Sequence, residues 1–147
     1  MLKGIPTEIS PELLFALAEM GHGDLLAIVD DFYPAISKTP NGQVIYAKGN
    51  GAGEMIDAIL KLFPLDVEYC EHPVEYMVPD AGSGVVMEGS KAWDDAIAAV
   101  KNNGYEESAV GTIERSKFYE KAGKAQVTVS TSERLPYGCF ILQKGVM

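Results

Sequence analysis

The chain is short of the residues that most readily announce chemistry. It has two cysteines, two histidines and one tryptophan in 147 residues. Cys70 and Cys139 lie far apart and in no paired motif, which excludes a disulfide framework and suits a reducing compartment. Positive charge is scarce as well: 12 Lys and Arg face 21 Asp and Glu, a net charge of −9. A polyanion is repelled on average and no basic cluster offers a local exception, so nucleic acid is excluded as a partner. An anionic membrane surface is excluded on the same ground. No run approaches the roughly 18–20 apolar residues of a membrane span. The opening "MLKGIPTEIS" has one lysine and no apolar stretch of useful length, so it does not read as a secretory signal. These absences together predict a cytoplasmic protein.

Other absences concern motifs. His72 in "CEHPVE" has no second histidine nearby, and Cys70-Glu71-His72 lacks structural zinc spacing, so no metal site is predicted. "GNGAG" at 49–53 carries neither the Walker lysine nor a full dinucleotide fingerprint, and reads as the loop entering a helix. There is no G-x-S-x-G elbow and no partnered nucleophilic cysteine.

What is present is an ordinary core. Apolar residues make up 47% of the chain and charged residues 22%, with mean hydropathy +0.02. The length fits one domain over residues 1–147. Ser10-Pro11-Glu12 is a helix start: a capping hydroxyl, proline at the first helical position and an acid near the positive end of the dipole. Leu13, Leu14, Leu17 and Met20 follow at helical spacing, and Gly21 is expected as a left-handed stop. Leu25 to Val29 is a short, non-alternating apolar run, the pattern of a strand buried on both faces. Strands are further predicted around 44–46, 74–78, 127–129 and 139–144, with a short apolar run in "GSGVVME". Helices are predicted from Met55 to Phe63, stopped by Pro64, from Ser90 to Asn103, and from Arg115 to Gly123. The alternation favours an α/β fold: a single α/β/α layered domain with a largely parallel or mixed central sheet. The apolar ending "ILQKGVM" is expected to pack.

Few polar residues stand out. His22 sits between two glycines in "MGHGD", where backbone or a ligand can come close. An unperturbed imidazole titrates near ~6.5 and can both give and take a proton; an exposed turn residue has the same pattern. Asp30 ends the apolar strand, and ligands of open α/β sheets gather outside the carboxyl ends of strands. A loop-starting aspartate bonding its own backbone is the plainer alternative. Arg115, Phe118, Tyr119 and Ala122 share one helical face, which sets a guanidinium in an apolar stripe. It needs an acid, a carbonyl array or an oxygen-rich ligand, or else its stem packs and its head snorkels to water. Tyr137 lies in a Pro-Tyr-Gly turn before the last strand and offers a hydroxyl that donates or accepts.

Several of these segments together resemble a known family. "MLKGIP", "ISPELLFALAEMGHGD", "IERSKFYEKAGKA" and "YGCFILQKGV" are similar to the fucose mutarotase and ribose pyranase family, and closer to its fucose branch. The resemblance covers nearly the whole chain and is weakest over 64–112. It implies a cofactor-independent and metal-independent isomerase that interconverts sugar ring forms, with L-fucose as the monosaccharide. It further implies a homo-oligomer, a decamer of two pentameric rings. The family's proton-donor histidine falls on His22, its sugar-binding aspartate on Asp30 and its substrate arginine on Arg115. Its Tyr-Gly-Asn motif falls on Tyr137, Gly138 and Cys139, where the thiol departs from asparagine; Phe32 stands where a polar residue is common. Tyr119 joins the substrate-binding set. His22 is then the acid/base, with Tyr137 or Tyr119 as second proton carrier. A ribose pyranase and a non-catalytic sugar-binding module remain the alternatives.

The spacing raises a geometric problem of its own. A straight strand between His22 and Asp30 spans about 20 Å, too far for one monosaccharide. Either the His22 turn doubles back over the sheet, or a neighbouring subunit completes the site.

Overall fold

The computed structural model describes residues 1–147. One six-stranded sheet carries the fold, in the order β2-β5-β1-β6-β3-β4. Its strands are β1 (Leu25–Val29), β2 (Gln43–Ala47), β3 (Val74–Val78), β4 (Val110–Glu114), β5 (Val127–Thr131) and β6 (Phe140–Gln143). β5 runs parallel to both β1 and β2, and β3 runs parallel to β4. β6 is antiparallel to β1 and to β3, so it joins two parallel groups that share one direction. The sheet is therefore mixed.

The helices are α1 (Pro11–Glu19), α2 (Ala52–Leu60), α3 (Lys91–Asn102) and α4 (Arg115–Ala122). α1, α2 and α3 cover one face and share a core with Leu26, Ile28, Val129, Phe140 and Leu142. α4 covers the other face, where Phe118 and Ala122 meet Ala27, Met77, Cys139 and Ile141. Alternate residues of β1 and β6 thus point to opposite cores, as the period of two requires. The α/β/α layering expected from the alternation is the one observed. Both predicted caps are made: Ser10 Oγ accepts from Leu13 N at 3.1 Å and Ser90 Oγ from Ala92 N at 3.2 Å. No helix is long and apolar enough to cross a membrane.

Several local expectations are corrected. Gly21 is not the left-handed stop of α1; Met20 leaves the helix in extended backbone, and the positive φ falls on Gly23, at +84°. The last carbonyls of α1 find another donor, since Lys144 Nζ bonds Leu17 O at 2.8 Å and Met20 O at 2.5 Å. A cation there also suits the negative end of the helix dipole. β4 lies outside the strands expected from the sequence, because an edge strand with little burial carries a weak pattern and runs straight into α4. "GSGVVME" forms no strand; Gly82 and Gly84 take positive φ and Val86 is 84% exposed. The ending packs only in part: β6 is buried, while Val146 and Met147 stay exposed.

Candidate active site

The polar residues marked in the sequence gather at the two opposite ends of the sheet's strands. At the carboxyl end of β1 stands Asp30, 6% exposed. Its Oδ1 accepts from Phe32 N at 3.1 Å, the local turn that starts a loop. Burial pushes this carboxyl above the usual range; the Cys139 thiol and the N–H groups of Phe32, Tyr33 and Gly138 facing it offset only part of that rise. Cys139 is itself wholly buried, and desolvation together with the neighbouring Asp30 raises its thiol well above its ordinary value. The family-derived position of Cys139 therefore lies behind Asp30, closed to solvent.

The next residues before Cys139 are tightly constrained. Tyr137 has φ +59°, the only non-glycine at positive φ in the chain. Such a conformation costs energy and persists only where surroundings enforce it. Here Trp93 Nε1 donates to Tyr137 O at 2.9 Å. Gly138 follows with no room for a side chain, since a Cβ would meet Glu133 Cγ at 2.7 Å and Leu135 O at 3.1 Å. The half-buried Tyr137 packs on the α4-side core.

Arg115 opens α4 at the same carboxyl end of the strands, since β4 runs parallel to β3 and ends there. The start of α4 is fixed from a loop: Asp80 Oδ1 accepts from Ser116 N at 3.0 Å and from Ser116 Oγ at 2.9 Å. Arg115 is not enclosed in an apolar stripe. It is exposed, with its guanidinium 4.8 Å from the centroid of the Tyr119 ring. This is the snorkelling alternative, strengthened by a cation–π contact. Tyr119 also stacks on Tyr33, at 5.2 Å with 14° between planes. Tyr33 also meets Phe118 edge-on at 5.7 Å. The Tyr33 hydroxyl is buried and has no hydrogen-bond partner. Asp30, Tyr33, Arg115, Tyr119, Tyr137, Gly138 and Cys139 thus form one neighbourhood.

His22 lies at the opposite end of the strands, just before β1 begins. Its loop is pinned to the segment after β6, with Gly23 N donating to Lys144 O at 2.8 Å and Lys144 N to Asp24 O at 2.9 Å. Nε2 of His22 lies 3.2 Å from Asp66 Oδ2, and the imidazole is tilted against Tyr69, centroids 5.2 Å apart. Asp66 is 2% exposed. Burial pushes its carboxyl up, yet the hydrogen bonds from Gln143 and His22, the nearby imidazole charge and Tyr69 N–H outweigh it and leave the carboxyl below the usual range. Gln143 ends β6 opposite Leu25, the first residue of β1, whereas Phe140 pairs with Ile28 near the other end. The His22 turn therefore does not double back over the sheet, and Asp30 lies a strand's length away. A cavity of about 290 Å³ lined by Val67, Cys70, Glu71 and Tyr105 opens beside the Asp66 segment, but it contains neither His22 nor Asp30.

Reasoning from sequence missed Asp66, Tyr69, Gln143 and Tyr33. Asp66 carried a faint signal, an acid set between Leu65 and Val67 just after a helix stop. Tyr33 carried none beyond its nearness to Asp30.

A profile described as the RbsD / FucU transport protein family matches residues 3–147. The chain is 42% identical over 150 residues to a protein of Homo sapiens named fucose mutarotase, spanning 99% of this chain and 94% of the relative. Among solved structures it is similar to FucU from Bifidobacterium longum, with TM-score 0.89 and 41% identity over 99% of each chain. It is also similar to the fucose mutarotase of Streptococcus pneumoniae in complex with L-fucose, with TM-score 0.87 and 35% identity over 99% of each chain.

Proposed function

The chain belongs to the RbsD / FucU transport protein family, and on that premise we propose that it is a sugar mutarotase interconverting the α and β anomers of L-fucose. Full-length relatives named for that activity support the substrate. The observation that carries the chemistry is the His22–Asp66 pair: an exposed imidazole, a side chain that can give and take a proton, held by a buried carboxylate. No cofactor or metal is required. Mutarotation removes a proton from the anomeric hydroxyl, delivers one to the ring oxygen, and reverses both steps after the open aldehyde turns. Positioned acid–base groups contribute roughly 10²–10⁴-fold to such a step.

In this reading His22 is the acid/base and Tyr137 the second proton carrier, with Tyr119 as the other phenol within the neighbourhood. Asp30 and Arg115 grip sugar hydroxyls. The Gly138 and Cys139 contribution runs through Asp30, because both residues are buried behind it. His22 and Asp30 flank opposite ends of β1, so one sugar contacts both only where two copies meet. The protein accordingly works as a homo-oligomer, a decamer of two pentameric rings as the family resemblance implies, acting in the cytoplasm as one domain over residues 1–147. The large apolar side chains left exposed on a single copy, among them Phe15, Phe32, Ile36 and Tyr69, fit that assembly.

NMR saturation transfer between the anomers of L-fucose tests the proposal. Exchange should be accelerated by the protein and abolished by His22→Ala with the fold intact. Unchanged exchange in His22→Ala removes His22 from the mechanism. Faster ring-form exchange of D-ribose than of L-fucose moves the protein to the pyranase class, and sugar binding without exchange makes it a binding module. A monomeric variant retaining full activity counts against the shared site.

A further inference from the structure

We infer that Asp66 is a positioning residue for the proton exchange: it holds Nε2 of His22 as a hydrogen-bond donor, so that Nδ1 is the nitrogen that meets the sugar. The inference rests on the reading of His22 as the acid/base.

The argument begins with donor and acceptor counts. An ionised carboxylate accepts and cannot donate. Asp66 Oδ2 lies 3.2 Å from Nε2, and the same oxygen accepts from Gln143 Nε2 at 2.9 Å. Oδ1 accepts from Tyr69 N at 3.4 Å. Every partner of this carboxyl is a donor, and the hydrogen bonds hold it in the ionised form. Nε2 of His22 must then carry a hydrogen, whatever the charge on the ring. In the neutral ring the lone pair sits on Nδ1. That atom has no partner within the chain, and the side chain is 41% exposed.

The support behind the pair is stiff. Asp66 N donates to Gln143 O at 3.1 Å, so backbone and side chain of Gln143 both fix the carboxyl to the end of β6. The Tyr69 ring restricts rotation of the imidazole from one side. Other charged groups nearby are already engaged: Asp24 Oδ2 accepts from Gly21 N at 2.7 Å, and the Lys144 ammonium bonds the carbonyls ending α1. Neither competes for Nδ1.

The chemical step follows. Nδ1 takes the proton of the anomeric hydroxyl, and the O–H electron pair becomes the second bond of the aldehyde C=O. The bond from the anomeric carbon to the ring oxygen breaks, and its pair stays on that oxygen. The ring oxygen takes a proton from the second carrier. Closure reverses each transfer, so no proton is gained or lost over the cycle. The imidazolium formed in between faces an ionised Asp66, which stabilises it and keeps Nδ1 aimed outward.

The test is ¹⁵N NMR on histidine-labelled protein, with the two rings assigned by a His72→Gln variant. At a pH where the ring is neutral, His22 should be the Nε2–H tautomer; an Nδ1–H tautomer overturns the inference. Asp66→Asn should lower kcat for L-fucose exchange on the order of 10-fold to 100-fold, a part of the acid–base contribution, with KM changed less than threefold. A kcat within twofold of the parent overturns it too. Should that variant fail to fold, the tautomer of the unaltered protein still decides the matter. Exchange that survives His22→Ala refutes instead the reading beneath, and the two failures are told apart.

Discussion

Tyr33→Phe should make the protein more stable. The hydroxyl of Tyr33 is buried without a partner, and a polar group left unsatisfied in that way costs about 1–3 kcal/mol. Phenylalanine keeps what holds the ring, the 5.2 Å stack on Tyr119 and the 5.7 Å edge contact with Phe118. Removing one oxygen leaves a gap of roughly 10 Å³, which at about 24 cal/mol per Å³ costs only ~0.2 kcal/mol. The net expectation is a gain of about 1–3 kcal/mol, or a rise in Tm of roughly 2–11 °C for a chain of this size. Urea and thermal unfolding of the two proteins measure it. The pH dependence adds a second reading of the same group. Burial first, then the nearby Cys139, Tyr119 and Asp30, hold the Tyr33 phenol above its ordinary range in the folded state. A folded pKa above the unfolded one gives stability that is complete below about pH 10 and lost as pH rises beyond it. The Phe variant should lose less stability than the parent between pH 9 and pH 11. A variant less stable than the parent by about 1 kcal/mol or more would mean that the hydroxyl has a partner, and the reasoning would fail.

Asp30→Asn should stabilise the protein at neutral pH while weakening exchange. Burial raises the Asp30 carboxyl, so the folded state holds its proton more tightly than the unfolded chain, and stability falls as pH rises through the unfolded value near ~3.9 and on through the raised one. Unfolding curves at pH 4 and pH 7 check the sign, and equal stability losses in both proteins would contradict it. Gly145→Ala should destabilise by about 1–3 kcal/mol, the usual cost of forcing atoms into filled space. A Cβ there would meet Leu65 O at 2.5 Å and Asp66 Cα at 2.7 Å, backbone that cannot simply rotate away. Because the strain falls on the segment that holds His22, anomer exchange measured by NMR should drop as well; full activity would show that the Asp66 segment tolerates displacement.

The legible part of the fold was the part written by local chemistry. Ser10-Pro11 and Ser90 begin helices because each supplies an oxygen to an orphan N–H, and β1 reads as a doubly buried strand because both its faces carry helices. β4 and the antiparallel course of β6 were not legible, since edge strands need little apolar pattern and strand direction depends on pairings far along the chain. The same division runs through the candidate site. His22, Asp30, Arg115 and Tyr137 could be named from motif and resemblance. Asp66 could not, because it reaches His22 from 44 positions away in sequence. The buried Tyr33 hydroxyl escaped for a similar reason: whether a phenol finds a partner is decided by packing across α4, and sequence alone is silent on it.

The sheet itself explains why such a site would call for more than one copy. β1 is flanked by β5 and β6 and buried on both faces, so it acts as a stiff spacer between the His22 turn and Asp30. β6, lying antiparallel beside it, carries Gln143 to the His22 end, and Cys139 just before it sits at the Asp30 end, locking each group to its own end. No side-chain rotation crosses that distance, and bending β1 would sacrifice ladder hydrogen bonds on both sides. Under the proposed shared site, two rigid half-sites on one spacer would become whole where the His22 end of one copy meets the Asp30 end of another, a head-to-tail contact. Repeated contacts of that kind close into a ring if the rotation between copies divides a full turn. In the proposed homo-oligomer, a cyclic arrangement would give every imidazole a sugar-gripping neighbour.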